Sequence, residues 1–368
     1  MGLKQILEKT IADMGERCVV APTLGTSYSD GDVLAWMPTG IPLLDYALGG
    51  GLAAGRVSEL YSRIESEGKS TLAIHCAVAC QRMGGLPVWI EAENALDKVR
   101  AARMGLDLSK MVIHGPESVE EGFDLLRTIA KNIRHDPELK NQWVLGIWDT
   151  IAASPVKAEK ESGDPYAEGR SKKPRVIREA LRDLTKEFFK SKMHMLFVNQ
   201  TYVQPTAWGA MFVTEGGGGI RFHSTYRIEL HRDDIIQDKE HHQATGIKVG
   251  FTVVKNKLAL PFRKGFLALN GETGFDEVMS MAWNLFEWKV TDLLKVYPKG
   301  WYEPRGGRTH LPRVRWDGIR DAILKHPTIL KAWRDWFAQL WPLPAGRAYD
   351  EKLGYVVKAD EKKEGTVA

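Results

Sequence analysis

Short apolar runs alternate with segments of helical periodicity along most of the chain. A repeated passage from an apolar run to a helix-type repeat is typical of a mainly parallel sheet with helices on both faces. The runs that predict strands are Val57–Tyr61, Pro87–Ile90, Met111–His114, Trp143–Trp148, Met193–Asn199, Tyr226–Leu230, Ile247–Val254 and Phe266–Asn270. The segments that predict helices between the first five strands are Ser70–Arg82, Leu96–Met104, Val119–Ile133 and Arg175–Phe189. Because the last three strands follow one another without helices, we expect an α/β fold whose sheet turns antiparallel at one edge.

The two ends of the chain follow other patterns. Apolar residues at helical spacing predict a short amphipathic helix near the start, and a polar linker completes this segment of residues 1–35. Such a detached helix needs a docking surface, either on its own core or on another copy of the protein. Residues 271–345 hold seven of the twelve tryptophans and mostly helical patterns, Val290–Tyr297 among them, which predicts a small α-rich C-terminal domain. Residues 346–368 are predicted to form a flexible tail.

The composition is that of an ordinary globular protein, because 43% of the 368 residues are hydrophobic and 27% are charged. No apolar run approaches the length of about 18 residues that a membrane helix needs, so we expect no membrane association. The charged start predicts no signal peptide, and the three cysteines suit a reducing compartment, so we expect a cytoplasmic protein. A formal net charge of +4 is too small to indicate a nucleic-acid partner.

The loop from Ser62 to Thr71, called the phosphate loop below, joins a predicted strand to a predicted helix. Its ending, Gly-Lys-Ser-Thr, is the functional half of a P-loop, in which backbone N–H groups and a helix N-terminus bind phosphate oxygens. In that role Lys69 reaches the β- and γ-phosphates, and the Ser70 hydroxyl ligates Mg²⁺. The residues predicted to bind the nucleotide here are Glu65, Ser66, Glu67, Gly68, Lys69, Ser70 and Thr71. The strict pattern has glycine where this chain has Arg63, so a chance Gly-Lys-Ser at a helix start stays an alternative.

Acidic residues follow two other predicted strands. Asp149 ends the run that starts at Val144, and such a carboxylate holds Mg²⁺ through water in P-loop proteins, although an aspartate there is also a common helix cap. Glu91 and Glu93 follow the strand Pro87–Ile90, at the carboxyl end where ligands gather in parallel sheets. Because these two carboxylates are expected to point to different sides, at most one of them would orient the attacking water.

Four segments, in order along the chain, resemble the RecA family of homologous-recombination ATPases. They are Pro38–Gly49 at the entry to the core, Ala92–Asp97 around Glu93, Phe197–Gln200 at a strand end, and Val253–Phe262 late in the core. The resemblance covers about Trp36–Asn270 and implies a RecA-like ATPase core over residues 36–270. It implies that Glu93, rather than Glu91, is the catalytic glutamate and that Gln200 senses the γ-phosphate. It also implies that Asp97 and Arg100 line the adenine pocket, where Arg100 replaces an aromatic residue of the family.

The same resemblance implies a DNA-dependent ATPase that binds ATP and Mg²⁺ between adjacent subunits of a helical filament. The filament would hold single-stranded DNA and pair it with homologous double-stranded DNA, and the N-terminal helix would dock on the preceding subunit. Lys255 and Lys257 lie two apart on a strand, so their side chains project to the same side. They would complete the neighbour's ATP site in the manner of arginine fingers, although two lysines near a strand end are usually just solvated.

Two segments correspond to the DNA-binding loops of the family. The first, Glu159–Lys173, continues to Arg175, and the second spans Thr201–Phe222. Basic residues suit phosphates, and exposed aromatic or Met side chains suit bases. The residues expected to bind DNA are Arg170, Lys172, Lys173, Arg175, Met211, Phe212, Gly216, Gly217, Gly218, Gly219 and Arg221. Four successive glycines predict a mobile loop rather than the interior of a helix or strand; an unrelated surface loop is the alternative.

Departures from the family pattern indicate a divergent member. They include Arg63 in the phosphate loop and the lack of a strongly acidic C-terminus, and an origin in a phage or mobile element is an open interpretation. The segment Thr291–Arg320 carries seven basic residues against three acidic ones, which suits either a duplex-capturing patch or a solvated rim. Two other functions stay open: a RecA-fold ATPase with another role, such as a helicase or a regulatory ring ATPase, and a binding protein with a degenerate nucleotide site.

Overall fold

A large mixed sheet organises the part of the chain that the structure describes. In the computed structural model this part comprises residues 35–93, 96–136, 142–162, 169–206, 209–237, 241–343, 347–350 and 355–358. The strands are β1 (Trp36–Met37), β2 (Leu52–Ala53), β3 (Val57–Ser62), β4 (Leu86–Glu91), β5 (Val112–His114), β6 (Val144–Asp149), β7 (Met193–Thr206), β8 (Gly209–Thr214), β9 (Tyr226–Gln237), β10 (Ala244–Asn256), β11 (Lys264–Asn270), β12 (Gly274–Asp276), β13 (Leu294–Tyr297), β14 (Trp301–Gly306), β15 (Thr309–His310), β16 (Val314–Arg315), β17 (Arg347–Asp350) and β18 (Tyr355–Lys358).

Helices lie between these strands and after the sheet. They are α1 (Pro42–Leu48), α2 (Lys69–Arg82), α3 (Lys98–Arg103), α4 (Val119–His135), α5 (Lys157–Ser162), α6 (Gly169–Lys190), α7 (Gly218–His223), α8 (Glu277–Glu287), α9 (Ile319–Leu324) and α10 (Pro327–Leu340). The predicted N-terminal helix falls in residues 1–34, outside the described residues.

The order of strands in the main sheet is β12-β11-β10-β9-β3-β7-β6-β4-β5, with β8 added to β7. From β9 through β5 the neighbours on this path pair in parallel, whereas β9 to β12 pair antiparallel. The prediction of an α/β fold with one antiparallel edge is therefore confirmed. Because the parallel strands all run in one direction, their carboxyl ends meet at one edge of the sheet, where ligands bind in folds of this class.

Aromatic packing fixes helix α4 on the parallel half of the sheet. Phe123, Trp148 and Phe197 are buried, and their ring centroids lie 5.0 to 6.3 Å apart. The Trp148 indole satisfies its own polar atom by donating to the Ser154 hydroxyl at 2.9 Å. Gly122 lies directly over this indole, and a Cβ there would come within 2.4 Å of the Trp148 ring. The strand that ends in Asp149 is thus positioned by a core that tolerates little added volume.

The two segments expected to bind DNA, Glu159–Lys173 and Thr201–Phe222, contain more regular secondary structure than expected. Helix α6 begins at Gly169, so the basic end of the first segment is helical. The second segment forms a β7–β8 hairpin with Val203 opposite Phe212, followed by helix α7. The prediction that the glycine run, Gly216–Gly219, lies wholly in a mobile loop is wrong, because Gly218 and Gly219 form the first turn of α7.

The C-terminal region mixes strands with helices, contrary to the α-rich prediction. The predicted helix Val290–Tyr297 is instead a turn followed by β13, which pairs with β14 across a tight turn at Lys299 and Gly300, both with positive φ. Helix α10 packs on this small sheet, and its buried Trp333 donates to the carbonyl of Arg305 at 2.9 Å. The last described strands, β17 and β18, pair antiparallel where a flexible tail was predicted, because Tyr355-Val356-Val357 is a β-prone run.

Replacing Gly122 with alanine tests the packing under Trp148. The added methyl group has no room beside the indole, so we expect a loss of about 1–3 kcal/mol in the free energy of unfolding in urea. Gly218→Ala is the matched control, because it is also helical and its added methyl group would meet no heavy atom of the described residues within 4 Å. Equal stability of the two variants would contradict this account of the core.

Candidate nucleotide site

The phosphate loop closes on itself between β3 and α2. Gly68 immediately precedes α2 with φ of 89°, in the left-handed region that favours glycine. A Cβ on Gly68 would lie 3.1 Å from Phe275 and 3.2 Å from Leu269, which belong to β12 and β11. The antiparallel edge of the sheet therefore supports the turn that starts the helix. Ser66 also has a positive φ, of 58°.

Hydrogen bonds within the phosphate loop hold its lysine and one glutamate. The Lys69 amine donates to the Ser62 hydroxyl at 2.6 Å, and that hydroxyl donates to the carbonyl of Ile64 at 2.6 Å. Glu67 is 2% exposed, and its carboxylate accepts from the backbone N–H groups of Arg232 at 2.8 Å and Ile64 at 3.4 Å. The Glu67 side chain is therefore held by hydrogen bonds within the protein, so Glu67 would contact a ligand through its backbone. Glu65, Ser66 and Ser70 are exposed.

Asp149, which ends β6, lies beside the start of α2. The Ser70 hydroxyl hydrogen-bonds to its carboxylate. Burial raises the pKa of Asp149 to about 6, and the neighbouring charges of Glu91 and Glu93 add to that shift, whereas the Ser70 hydrogen bond opposes it. Burial likewise lowers the pKa of Lys69, against the opposing charge of Asp149. A hard divalent cation held by Ser70 and the carboxylates would relieve the repulsion between Asp149 and the two glutamates, so these residues fit Mg²⁺.

Glu93 and Asp149 converge from neighbouring strands. Glu91 is opposite Asp149 in the β4–β6 register, and the chain then carries Glu93 past the end of β4. The Thr150 hydroxyl donates to the Glu93 carboxylate at 2.7 Å, while Glu93 itself is exposed. Glu91 is 9% exposed and lies within the strand. Of the two glutamates, Glu93 is the one that solvent can reach at the edge of the sheet.

The predicted adenine-pocket residues connect α3 with α2. Asp97 caps α3 by accepting from the backbone N–H of Arg100 at 2.9 Å. Arg100 in turn donates from Nη2 to the Thr71 hydroxyl at 3.0 Å. The structure thus brings Asp97, Arg100 and Thr71 together, although they lie up to 29 positions apart along the chain.

Gln200 lies opposite Ser62 in the β3–β7 register, beside the phosphate loop. Its neighbour Asn199 is buried and donates to the Glu59 carboxylate and to the carbonyl of Glu215, both at 2.9 Å. Glu59 is fully buried and also accepts from Arg227 at 2.5 Å. The sequence analysis missed this Glu59–Asn199–Arg227 network. A glutamate in the middle of a strand that is buried along its whole length was the signal that could have indicated it.

The glycine run packs against helix α6. A Cβ on Gly217, whose φ is 67°, would lie 2.8 Å from Pro174, and one on Gly219 would lie 3.1 Å from the Cα of Arg178. The two expected DNA-binding segments therefore touch through backbone that only small residues allow. Near them, Met211 and Phe212 on β8 are 49% and 50% exposed, and Arg221 on α7 is exposed.

The basic residues of the first segment divide into two groups. Lys172 and Arg175 are exposed, and Arg175 pairs with Glu179 at 2.8 Å. Lys173 is 8% exposed, and its amine donates to the carbonyl of Ala152 at 2.6 Å. In this structure the Lys173 amine therefore serves an internal carbonyl and does not face solvent. The side chain of Arg170 lies outside the described residues.

Lys255 and Lys257 project to one side, as their spacing predicts. The Lys255 amine donates to the carbonyls of Arg221 at 2.7 Å and Phe222 at 3.1 Å, and the Lys257 amine reaches the Phe222 carbonyl at 3.3 Å. Burial and the charge of Lys257 lower the pKa of Lys255 to about 8. The pair therefore stabilises the carbonyl end of α7, next to the exposed Phe222.

A family model described as the RecA N-terminal domain matches residues 2–276. The chain belongs to the RecA family. It is 34% identical over 243 residues to Protein RecA of Nitratidesulfovibrio vulgaris strain Miyazaki F, which covers 65% of this chain and 64% of the relative. It is 31% identical over 300 residues to Protein RecA of Heliobacterium modesticaldum, which covers 80% of both chains. It is 35% identical over 232 residues to Protein RecA of Bartonella quintana, which covers 62% of this chain and 63% of the relative.

For most of these RecA relatives the match spans a little less than two thirds of their length. The resemblance predicted from the four segments is confirmed, and the mostly parallel sheet agrees with a RecA-type core. Across the described ranges, no helix is both long enough and apolar enough to cross a membrane.

Asp149→Asn tests the charge balance of the site. The pKa of Asp149 is raised from 3.8 to about 6, so the native state favours the protonated acid, and this contribution to stability is lost as the pH rises through about 6. The asparagine variant does not ionise, so without nucleotide or Mg²⁺ we expect its stability relative to the wild type to increase from pH 4.5 to 7.5. The increase should be about 1–3 kcal/mol in urea unfolding.

Asp107→Asn is the control, because hydrogen bonds from Ser109 and Lys110 lower the pKa of that exposed carboxyl. Its difference from the wild type should stay nearly constant from pH 4.5 to 7.5, because a lowered pKa changes stability only below the ordinary aspartate value of 3.8. A difference between Asp149→Asn and the wild type that is constant over this pH range would contradict the assigned shift.

Proposed function

We propose that this RecA-family chain is an ATP-dependent DNA recombinase. It forms a helical filament on single-stranded DNA, pairs it with homologous double-stranded DNA and promotes strand exchange, with ATP hydrolysis that depends on DNA. One observation carries the proposal: the phosphate loop, the carboxylates and Gln200 meet at one edge of the sheet, and from that edge β7 continues directly into the hairpin that exposes Phe212.

Each residue of the edge has a distinct task in the proposed ATPase. Lys69 would leave the Ser62 hydroxyl to bind the β- and γ-phosphates, while backbone N–H groups of the phosphate loop hold the other oxygens. Ser70 would ligate Mg²⁺ directly and Asp149 through water. When bound, Mg²⁺ neutralises charge on the phosphate oxygens. Glu93 would orient the attacking water, because its carboxylate is exposed beside the site.

The neighbouring elements supply adenine contacts and subunit contacts. Asp97 and Arg100 would line the adenine pocket, with the Arg100 guanidinium stacking in place of an aromatic ring. Lys255 and Lys257 would complete the ATP site of the next subunit in the filament. Their shared approach to the end of α7 supports a joint role, since a shift of α7 would move both amines. We assign residues 1–35 to docking on the preceding subunit.

Single-stranded DNA would bind along the β7–β8 hairpin and α7. Met211 and Phe212 are half exposed and suited to stacking on bases, while Arg221, Lys172 and Arg175 suit phosphates. Gln200 would report the γ-phosphate to this surface through β7. Binding of ATP would thereby raise the affinity for DNA, and hydrolysis would release it.

Double-stranded DNA has a candidate surface on the C-terminal sheet. The guanidinium of Arg313 lies 3.8 Å from the Tyr297 ring centroid, and that of Arg315 lies 4.3 Å from the Trp301 centroid. These stacked cations on an exposed sheet support the duplex-capturing interpretation of Thr291–Arg320. A high salt sensitivity of duplex binding is the expected consequence.

The main test is the ATPase rate of the purified chain with and without single-stranded DNA. We expect a strong rise with DNA that declines with added salt, together with open helical filaments in electron micrographs. A rate that stays flat across a DNA titration at low salt would contradict the proposal, and closed rings would favour a helicase or regulatory ATPase.

Glu93→Gln tests the proposed base. It should lower the DNA-stimulated ATPase rate by at least about 100-fold, because it removes general-base orientation of water. DNA binding with a non-hydrolysable ATP analogue should be retained. Glu91→Gln, two positions away, is the control and should keep most of the hydrolysis. If Glu91→Gln abolished hydrolysis and Glu93→Gln did not, the assignment of the two glutamates would be reversed.

A further inference from the structure

Arg63 stands where the strict P-loop pattern has glycine, and its side chain leaves the phosphate loop. The guanidinium Nε donates to the Glu229 carboxylate on β9 at 2.8 Å. Its Cζ atom lies 5.0 Å from the ring centroid of Phe212 on β8. One side chain thus joins the first position of the P-loop motif to two elements outside the phosphate loop.

The residues on both sides of Arg63 are tied into the phosphate loop, Ser62 through its hydroxyl and Ile64 through its backbone. Ser62, the preceding residue, accepts from the Lys69 amine, and its hydroxyl donates to Ile64, the following residue. The Ile64 N–H also approaches the Glu67 carboxylate. Any phosphate that draws Lys69 away from Ser62 therefore alters the bonds that flank Arg63. The guanidinium would carry that change outward.

The contact between Arg63 and Phe212 of the β7–β8 hairpin lies at a cleft. A cavity of about 310 Å³ lies between the phosphate loop and the hairpin. Arg63 and Phe212 line it, together with Tyr61, Arg227 and Arg221. Because Arg63 is 56% exposed and Phe212 is 50% exposed, the contact between them has room to change. This route through side chains is separate from the backbone route along β7 through Gln200.

We propose that Arg63 is a positioning residue that couples nucleotide at the phosphate loop to single-stranded DNA at the β7–β8 hairpin. The inference rests on the proposed function and extends it to a residue where this chain departs from the strict motif. A planar guanidinium can keep its hydrogen bond to Glu229 while stacking on Phe212, which glycine cannot do and lysine does poorly. Coupling of this kind is reciprocal, so DNA on Phe212 would also favour nucleotide binding.

The test measures the affinity for fluorescently labelled oligo-dT by anisotropy, with and without Mg²⁺ and the β,γ-imido analogue of ATP. The ratio of the two affinities reports the coupling. Arg63→Ala should reduce this ratio about threefold to tenfold. Arg63→Lys keeps the charge but loses the stacked plane, so it should reduce the ratio while leaving the affinity without nucleotide near that of the wild type. Arg182→Ala is the control, because it removes an exposed arginine that pairs only with its neighbour Asp183 among the described contacts.

A second variant, Phe212→Leu, keeps the test decisive if Arg63→Ala does not fold. It should also lower the ratio, and adding Arg63→Lys to it should produce no further loss, because both changes break one contact. Equal weakening of DNA binding with and without nucleotide in the Arg63 variants would overturn the proposal, since it would make Arg63 only a phosphate contact. If the ratio of DNA affinities with and without nucleotide in Arg63→Lys equalled that of the wild type, the stacking role of Arg63 would be overturned. If the wild type itself bound DNA equally well with and without nucleotide, the proposed recombinase function would fail instead.

Discussion

The register between parallel strands is the constraint on which the rest of the structure depends. β3 aligns Ser62 with Gln200 of β7, and β4 aligns Glu91 with Asp149 of β6. Because alternate residues of a strand face opposite sides, a slip of one position would turn every one of these side chains to the wrong face. The aromatic cluster around Trp148 prevents such a slip, since Gly122 leaves no spare volume above the indole. The packing of the core therefore also fixes the geometry of the site.

The candidate nucleotide site carries charges that the protein alone satisfies incompletely. Burial raises the pKa of Asp149 and lowers the pKa of Lys69, so both ionised forms are disfavoured although the two groups attract each other. By contrast, the buried Glu59 is fully bonded by Arg227 and Asn199. The incompletely compensated charges of Asp149 and Lys69 suit a site that binds a charged ligand. The hydrogen-bonded Glu59 suits a structural support. Because Glu59 lies on β3, this support stiffens the strand that leads into the phosphate loop.

The surface beyond the strand ends is built from close backbone packing rather than from a free loop. Glycines 217 and 219 let α7 lie against α6, and Lys173 is drawn inward to the carbonyl of Ala152. The exposed side chains on this support include Val203, Met211 and Phe212 on the hairpin and Arg221 and Phe222 on α7. A rigid support with a few exposed groups is well suited to transmit a change at the phosphate loop, because packed elements move as units.

The amino-acid pattern alone determined the α/β fold, the antiparallel edge, the family and the residues at the strand ends, because periodicity and short motifs are local properties. It did not determine the β7–β8 hairpin, the strand Leu294–Tyr297 or the inward turn of Lys173, since each depends on a pairing or packing partner that hydrophobic periodicity does not identify. The sheet pairing of Tyr297 with Trp301 overrides helical spacing, and the proximity of Ala152 decides where the lysine amine goes. Arg63 shows the same division: the sequence marks it as a departure from the P-loop pattern. Only the tertiary structure brings Glu229 and Phe212 to its guanidinium, because those contacts join residues about 150 or more positions apart.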